Sequence, residues 1–83
     1  SVAETVLKPG NKLVVYTDGL IDAENEAREP FGFARLRETV RTNARLECRE
    51  LHAAILAAVE RFVEGAPPAD DITLVVIEYQ PFI

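Results

Sequence analysis

Apolar residues form short unbroken runs near both ends of the chain and a helical spacing between them. Residues 2–7 and 12–17 are predicted strands, and the turn-forming sequence KPGN at residues 8–11 joins them into a predicted hairpin. A last strand is predicted over residues 72–79. Both LVVY at 13–16 and LVVI at 74–77 are apolar at every position, so these strands present apolar side chains to both faces of their sheet.

Two helices are predicted in the middle of the chain. Phe33, Leu36 and Val40, spaced three and four residues apart, predict a first helix that ends near Asn43. The second helix is predicted over residues 47–64, with a glycine and two prolines following it as stop signals. Its apolar stripe is Leu51, Ile55, Val59 and Phe62. Residues 20–30, which precede the first helix, are polar and predict an irregular, solvated acidic loop.

The order strand, strand, helix, helix, strand predicts an α+β fold, an antiparallel sheet with two helices on one face. The 83 residues are enough for at most one small domain. Because two helices cover only one face, the other face of the sheet is expected to need cover from further chain or from a second copy. We therefore expect the isolated chain to be a homodimer rather than a stable monomer.

Composition narrows the class of protein. With 48% apolar and 28% charged residues the chain is globular, and its net charge of −5 argues against nucleic acid or an anionic membrane as the partner. Cys48 is the one cysteine, which fits a reducing, cytoplasmic compartment. No apolar run approaches the roughly 20 residues of a membrane span, and no signal peptide is visible. A start at Ser1 and the absence of methionine lead us to expect that the natural N-terminus lies upstream.

Carboxylates stand at the ends of two predicted strands. Asp18 follows one strand, and Asp70 and Asp71 precede another. If these strands are antiparallel neighbours, the carboxylates meet at one edge of the sheet, where their repulsion is relieved by a hard divalent cation such as Mg²⁺ or Mn²⁺. Zinc is disfavoured, since no cysteine or histidine is near. Spacing alone favours an ordinary structural role, because Asp-Gly pairs and aspartates before strands are common in turns.

The motifs, taken in order, resemble those of SpoIIE-type phosphatases, in the superfamily of metal-dependent serine/threonine protein phosphatases (PPM). LVVYTDGLIDA at residues 13–23 is similar to the family's strand followed by Asp-Gly. FG at 31–32 with RL at 35–36 resembles the start of its next helix, and ADDITLVV at 69–76 resembles its closing motif. PGNKL at 9–13 also matches the turn before the first motif, so the resemblance covers nearly the whole chain.

The resemblance implies a role for each residue of these motifs. Asp18 and Asp70 correspond to metal ligands, and Asp71 and Asp22 to supporting groups. Asp22 is often Glu in the family, and Glu24 is often Arg. Gly19 and Thr17 flank the first ligand; Thr17 and Thr73 could hydrogen-bond the carboxylates, although strand preference explains both threonines equally well.

The resemblance also implies that residues 1–83 are the C-terminal fragment of one phosphatase domain, a partial version of an α-β-β-α sandwich. The family's N-terminal half supplies further metal-binding aspartates, for which the chain has no counterpart. Two or more Mn²⁺ or Mg²⁺ ions would then activate water for attack on a phosphoserine or phosphothreonine. The fragment alone is expected to be inactive, and none of its residues is assigned as catalytic. Anti-sigma-factor antagonists are the implied class of phosphoprotein substrate, and sensory modules the implied upstream partners.

Two other functions compete with the phosphatase. A regulatory or protein-binding module could keep the fold without turnover, although such a module is expected to lose a ligand aspartate, and Asp18 and Asp70 are both present. A phospho-acceptor receiver domain is excluded by the order of the elements, because receivers alternate strand and helix in a parallel sheet. His52 is interpreted as a boundary residue of the second helix, and Cys48 as a packing residue at its start.

Overall fold

Three strands and three helices make up the part of the chain that the structure, a computed structural model, describes. That part comprises residues 5–7, for which the backbone alone is described, 12–64 and 72–78. The elements are β1 (Thr5–Leu7), β2 (Lys12–Tyr16), α1 (Asp18–Ile21), α2 (Gly32–Thr42), α3 (Cys48–Val63) and β3 (Leu74–Glu78). The predicted α+β class is confirmed. The predicted turn at residues 8–11 lies outside the described residues.

The strands form one antiparallel sheet in the order β1-β2-β3. Thr5 is opposite Tyr16 in the first pair, and Tyr16 is in turn opposite Leu74 in the second. The predicted hairpin is therefore confirmed. The antiparallel contact of β2 with β3, on which the argument about carboxylates at one edge depended, is confirmed as well.

The two faces of the sheet differ in burial. Along β2 the side chains of Lys12, Val14 and Tyr16 are buried, whereas those of the residues between them are half-buried, the period of two that a strand covered on one side shows. On the second face, Leu13 lies opposite Ile77 and Val15 opposite Val75. Val75 and Ile77 are 44% and 46% exposed. We name these four residues the open face: Leu13, Val15, Val75 and Ile77.

Helix α3 packs on β3, and α2 packs on α3. The buried residues of α3 are spaced four apart, so they form one stripe along the helix. That stripe ends at Val63 rather than at Phe62, which corrects the sequence prediction: Phe62 is half-buried and instead meets Phe31 edge to face, with 5.6 Å between ring centroids. The core consists of Val14, Tyr16, Leu20, Ala23, Phe31, Leu36, Val40, Leu51, Ile55, Val59 and Val63.

Helix α2 also differs in detail from its prediction. It begins at Gly32, whose φ of 83° is in the left-handed region that glycine adopts without strain. Phe33, expected in the core, is 40% exposed, because Phe31, Leu36 and Val40 define the buried side. None of the helices in the described ranges combines the length and the apolar character that crossing a membrane requires.

A buried lysine connects the sheet to the loop between α2 and α3. Lys12 is only 6% exposed, and its Nζ donates a hydrogen bond of 2.9 Å to the carbonyl oxygen of Ala44. A buried ammonium group is costly unless it is hydrogen-bonded, and a carbonyl just beyond a helix C-terminus is a favourable acceptor. This bond therefore fixes the α2–α3 loop over the covered face of the sheet.

Candidate metal site at the end of β2

The end of β2 and the start of β3 are joined by two hydrogen bonds. The backbone N–H of Thr17 donates to the carbonyl oxygen of Thr73 at 3.1 Å. In return, the N–H of Thr73 donates to the side-chain Oγ1 of Thr17 at 3.2 Å. The Thr17 hydroxyl thus accepts from the strand backbone, a partner that the sequence did not indicate. The two chain segments are side by side at one edge of the sheet.

Asp18 is the first residue of α1 and is half-buried. The sequence predicted an irregular segment here, and the single helical turn corrects that prediction. Gly19 and Leu20 are buried beneath Asp18, so the turn is fixed by packing as well as by its backbone. Asp22 ends the turn: its backbone N–H donates to the carbonyl oxygen of Asp18 at 2.8 Å. Asp22 itself is exposed.

Asp70 and Asp71 lie outside the described residues, so their predicted part in the site stays a prediction. In the sequence they come three and two residues before Thr73, which is itself bonded to Thr17. Within the described ranges, the structure shows no group of three or more His, Cys, Asp or Glu side chains that could hold a metal ion. Of the predicted ligands, the described part therefore contains Asp18.

The acidic loop after α1 folds back on itself at the surface. Asn25 Oδ1 accepts a hydrogen bond from the N–H of Glu29 at 2.9 Å. Glu24 and Pro30 form an isolated antiparallel β-bridge. Asp22, Glu24, Glu26 and Glu29 are all exposed, as predicted for a solvated loop. Among the described residues, its carboxylates form no group of three or more that could hold a metal ion.

His52 makes a contact that sequence reasoning missed. It is half-buried on α3, as expected of a boundary residue, and its Nε2 is 3.2 Å from the carbonyl oxygen of Leu74. Because a carbonyl oxygen only accepts, Nε2 must carry the proton in this bond. The signal in the sequence was slight, a single polar residue beside the apolar stripe.

A cleft of about 600 Å³ lies between α2 and α3, away from Asp18. Arg35 lines it, but its guanidinium donates to the carbonyl oxygens of Pro30 and Phe31 and stacks 4.4 Å from the centre of the Phe62 ring. These contacts give Arg35 a structural role. We therefore place the candidate metal site at the end of β2 rather than in this cleft.

The donor chemistry at the end of β2 fits a hard divalent cation, because carboxylate oxygen is the donor that Mg²⁺ and Mn²⁺ prefer. The chain is therefore an α+β segment, with an antiparallel sheet, helices against one of its faces, and one described candidate metal ligand, Asp18, just beyond a strand end. The comparisons with known proteins specify the class further.

Residues 1–80 match the family described as Stage II sporulation protein E (SpoIIE). The chain is also 34% identical over 71 residues to Protein IcfG of Synechocystis sp. (strain ATCC 27184 / PCC 6803 / Kazusa), a match that covers 86% of this chain and 11% of that protein. No solved structure matches significantly. The chain belongs to the SpoIIE family, as its motifs indicated, and membership points to a PPM-type phosphatase domain. It spans about a ninth of the curated relative that it matches.

Proposed function

We propose that this chain is the C-terminal part of a metal-dependent phosphoserine/phosphothreonine phosphatase domain, built as a partial α-β-β-α sandwich. The observation that supports the proposal most directly is the 3.1 Å hydrogen bond from Thr17 to Thr73. It joins the residue before Asp18 to the strand that Asp70 and Asp71 precede. Family membership over residues 1–80 supplies the reaction class.

In this proposal Asp18 and Asp70 hold a cation, Mn²⁺ or Mg²⁺, and Asp71 supports them. The bound metal would supply an activated water as the nucleophile and neutralise charge on the phosphoryl oxygens. Thr17 holds the two strand ends together, and Gly19 is buried in the turn that begins at Asp18. Asp22, exposed on the acidic side of this turn, faces solvent where a substrate would approach.

The proposed substrates are phosphoproteins, with anti-sigma-factor antagonists as the class that the family resemblance implies. The net charge of −5 supports a protein partner over nucleic acid. We propose a cytoplasmic location, consistent with a lone, half-buried Cys48. For the isolated chain we propose a homodimer formed through the open face.

Asp18→Asn in the full-length protein tests the enzyme assignment. Asparagine keeps the shape of the side chain but removes the charge that a cation needs. We expect Mn²⁺-dependent hydrolysis of a phosphoserine protein to fall by more than about 100-fold, because a ligand matters more than the outer partners whose loss costs about 10–100-fold. The thermal midpoint should stay close to that of the wild type.

Glu26→Gln is the matched control, since it neutralises an exposed carboxylate of the nearby loop. It should leave hydrolysis unchanged. Equal activity of Asp18→Asn and the wild type would refute the assignment of Asp18. A wild-type protein that binds its partner but hydrolyses no phosphoprotein would favour the regulatory module instead.

A further inference from the structure

The positive charges of the chain are concentrated in one segment. Residues 32–49 contain five of the nine Lys and Arg residues, all five of them arginine, together with two glutamates, so the segment has a net charge of +3 in a chain of net charge −5. It comprises α2, the α2–α3 loop and the first two residues of α3. All of its arginines are exposed: Arg35, Arg37, Arg41, Arg45 and Arg49. The surface around α2 is therefore a basic patch on an acidic protein.

Three exposed residues of α2 are spaced four apart and therefore lie along one side of the helix: Phe33, Arg37 and Arg41. We name them the outer stripe. Its first residue is a large apolar side chain that is 40% exposed. The residues of α2 that line the cleft towards α3 are different ones, among them Arg35 and Glu38, so the outer stripe is not part of that cleft.

The stability of α2 does not account for the outer stripe. Like charges four residues apart on a helix repel each other, so Arg37 and Arg41 together disfavour the helix. Arg41 is in the last turn, where the helix dipole favours a cation, and it pairs with Glu38 at 3.9 Å, although such an exposed pair contributes little. Arg37 makes no hydrogen bond or ion pair with any other described residue. Its guanidinium is therefore available to a ligand.

Helix α2 is held firmly in the described part of the chain. Its inner side is buried in the core. At its start, Arg35 donates to the carbonyl oxygen of Phe31 at 3.0 Å, and at its end the side chain of Asn43 donates to the carbonyl oxygen of Thr39 at 2.8 Å. The backbone that carries the outer stripe thus needs no ordering when a partner binds, which lowers the cost of association.

From this charge, exposure and spacing we propose that the outer stripe is a docking surface for an acidic amphipathic helix of a partner protein. Aromatic residues and arginine are the residues enriched at the energetic centres of protein interfaces. From Phe33 to Arg41 the helix rises about 12 Å, at about 1.5 Å per residue. A partner helix has the same rise, so an apolar residue followed by carboxylates four and eight positions later matches the stripe. Each carboxylate would accept hydrogen bonds from one guanidinium.

The proposed docking goes beyond the proposed function and does not depend on the metal site. Fluorescence anisotropy with the full-length protein tests it. The probe is a fluorescein-labelled synthetic peptide of about 20 residues, long enough to form a helix, with leucine and glutamate at four-residue spacing on one side. A second peptide has glutamine in place of every glutamate.

Three variants change the outer stripe: Arg37→Glu, Arg37→Lys and Phe33→Gln. Arg61→Glu is the matched control, because it makes the same change of charge at an exposed arginine of α3 that lines the cleft. Arg37→Glu should keep the fold, since it replaces a repulsion with Arg41 by an attraction at the same spacing. The thermal midpoint of each variant checks this.

We expect the wild-type protein to bind the glutamate peptide at least about 10-fold more tightly than the glutamine peptide, with a difference that shrinks as salt is added. Arg37→Glu should weaken binding of the glutamate peptide by at least about 10-fold, because like charges would then face each other across the interface. Arg37→Lys keeps the charge and should bind within about threefold of the wild type. Phe33→Gln should weaken binding by about fivefold through the loss of apolar contact. Arg61→Glu should leave the affinity unchanged.

Equal binding of the two peptides would overturn the inference, as would unchanged affinity in Arg37→Glu. An equal loss in Arg61→Glu would show a general effect of net charge and would overturn it as well. If the full-length protein binds neither peptide, the outer stripe has no acidic partner or is covered by the protein's own chain, and the inference falls. A change in self-association of Arg37→Glu, measured by sedimentation velocity, would assign the outer stripe to a second copy instead.

Discussion

Val75→Thr combined with Ile77→Thr tests whether the open face drives self-association of the isolated chain. Full burial of a Val or Ile side chain contributes about 1.5–3 kcal/mol. Covering the exposed 44% of Val75 and 46% of Ile77 then contributes about 0.7–1.4 kcal/mol for each side chain. Over two side chains in each of two copies, the sum is about 3–5 kcal/mol.

That sum is about a quarter to two fifths of the gross interaction energy that a micromolar dimer requires. A micromolar dissociation constant corresponds to about 8 kcal/mol, after an association cost of at least about 4 kcal/mol has been overcome. The half-buried Leu13 and Val15 add apolar area to the same face. We expect a dimer at low micromolar concentration that pairs sheet to sheet, in which Leu13, Val15 and further contacts across the interface supply the rest of the required energy.

Threonine keeps the β-branched shape that favours a strand but places a hydroxyl in the interface. The double variant should raise the dissociation constant by about 100-fold, the lower end of the range from the buried area, since each 1.4 kcal/mol is about tenfold. Sedimentation velocity over a concentration series measures the change, and circular dichroism checks that the fold is retained.

Phe33→Gln is the control, because Phe33 is 40% exposed on α2 and lies outside the open face. It should leave the dissociation constant unchanged. A compact, well-folded wild-type monomer at low micromolar concentration would refute the reasoning, as would an equal effect of the control and the double variant.

Two further predictions concern the isolated chain. It should show no Mn²⁺-dependent hydrolysis of a phosphoserine peptide, because the proposed two-metal reaction needs more carboxylate ligands than Asp18, Asp70 and Asp71 supply; robust turnover by the pure chain would contradict this. Lys12→Met should lower the free energy of unfolding, measured by urea denaturation, by about 1–3 kcal/mol, because it leaves the Ala44 carbonyl without its donor. Unchanged stability would show that the buried bond contributes nothing.

The order of the long elements could be predicted from the sequence because each has a clear period. Apart from β1, whose predicted residues 2–4 lie outside the described residues, the strands and the two long helices fall within two residues of their predicted bounds. Helix α1 was missed for a physical reason: four residues, Asp18–Ile21, are too few to show a helical period, and Asp-Gly more often marks a turn. Its stability comes from burying Leu20, which is a tertiary effect.

The side-chain assignments that failed are those that packing decides. Phe33 and Phe62 have the spacing of core residues, yet Phe31 takes the buried position beside α2 and meets Phe62 at the flank of α3. A period of 3.6 residues identifies an apolar stripe about 100° wide along a helix. It does not identify which of two neighbouring apolar residues lies at the centre of that stripe. The neighbouring helix makes that choice.

In the candidate site, too, the sequence predicted some features and missed others. Motif order indicated Asp18, but nothing in the sequence indicated that the Thr17 hydroxyl accepts from Thr73 or that His52 donates to Leu74. In both bonds one partner is a backbone group. Because almost every residue has the same backbone N–H and C=O groups, the sequence pattern does not indicate which residue's backbone group forms the bond. Register and helix position determine such bonds, and both become known only when the chain is folded.

Strand β3 connects the open face to the candidate site. Its outward carbonyl at Leu74 is held by α3, its inner edge by β2, and its covered face by the core, but Val75 and Ile77 contact no described layer on their own side. A layer that packs on the open face would therefore restrain β3 from a further direction. Because Asp70 and Asp71, the proposed ligand and its support, come directly before this strand in the sequence, we expect cover on the open face to favour the proposed metal binding as well. On this argument a layer on the open face would do more than bury Val75 and Ile77: it would also stiffen the strand that follows Asp70 and Asp71 in the sequence.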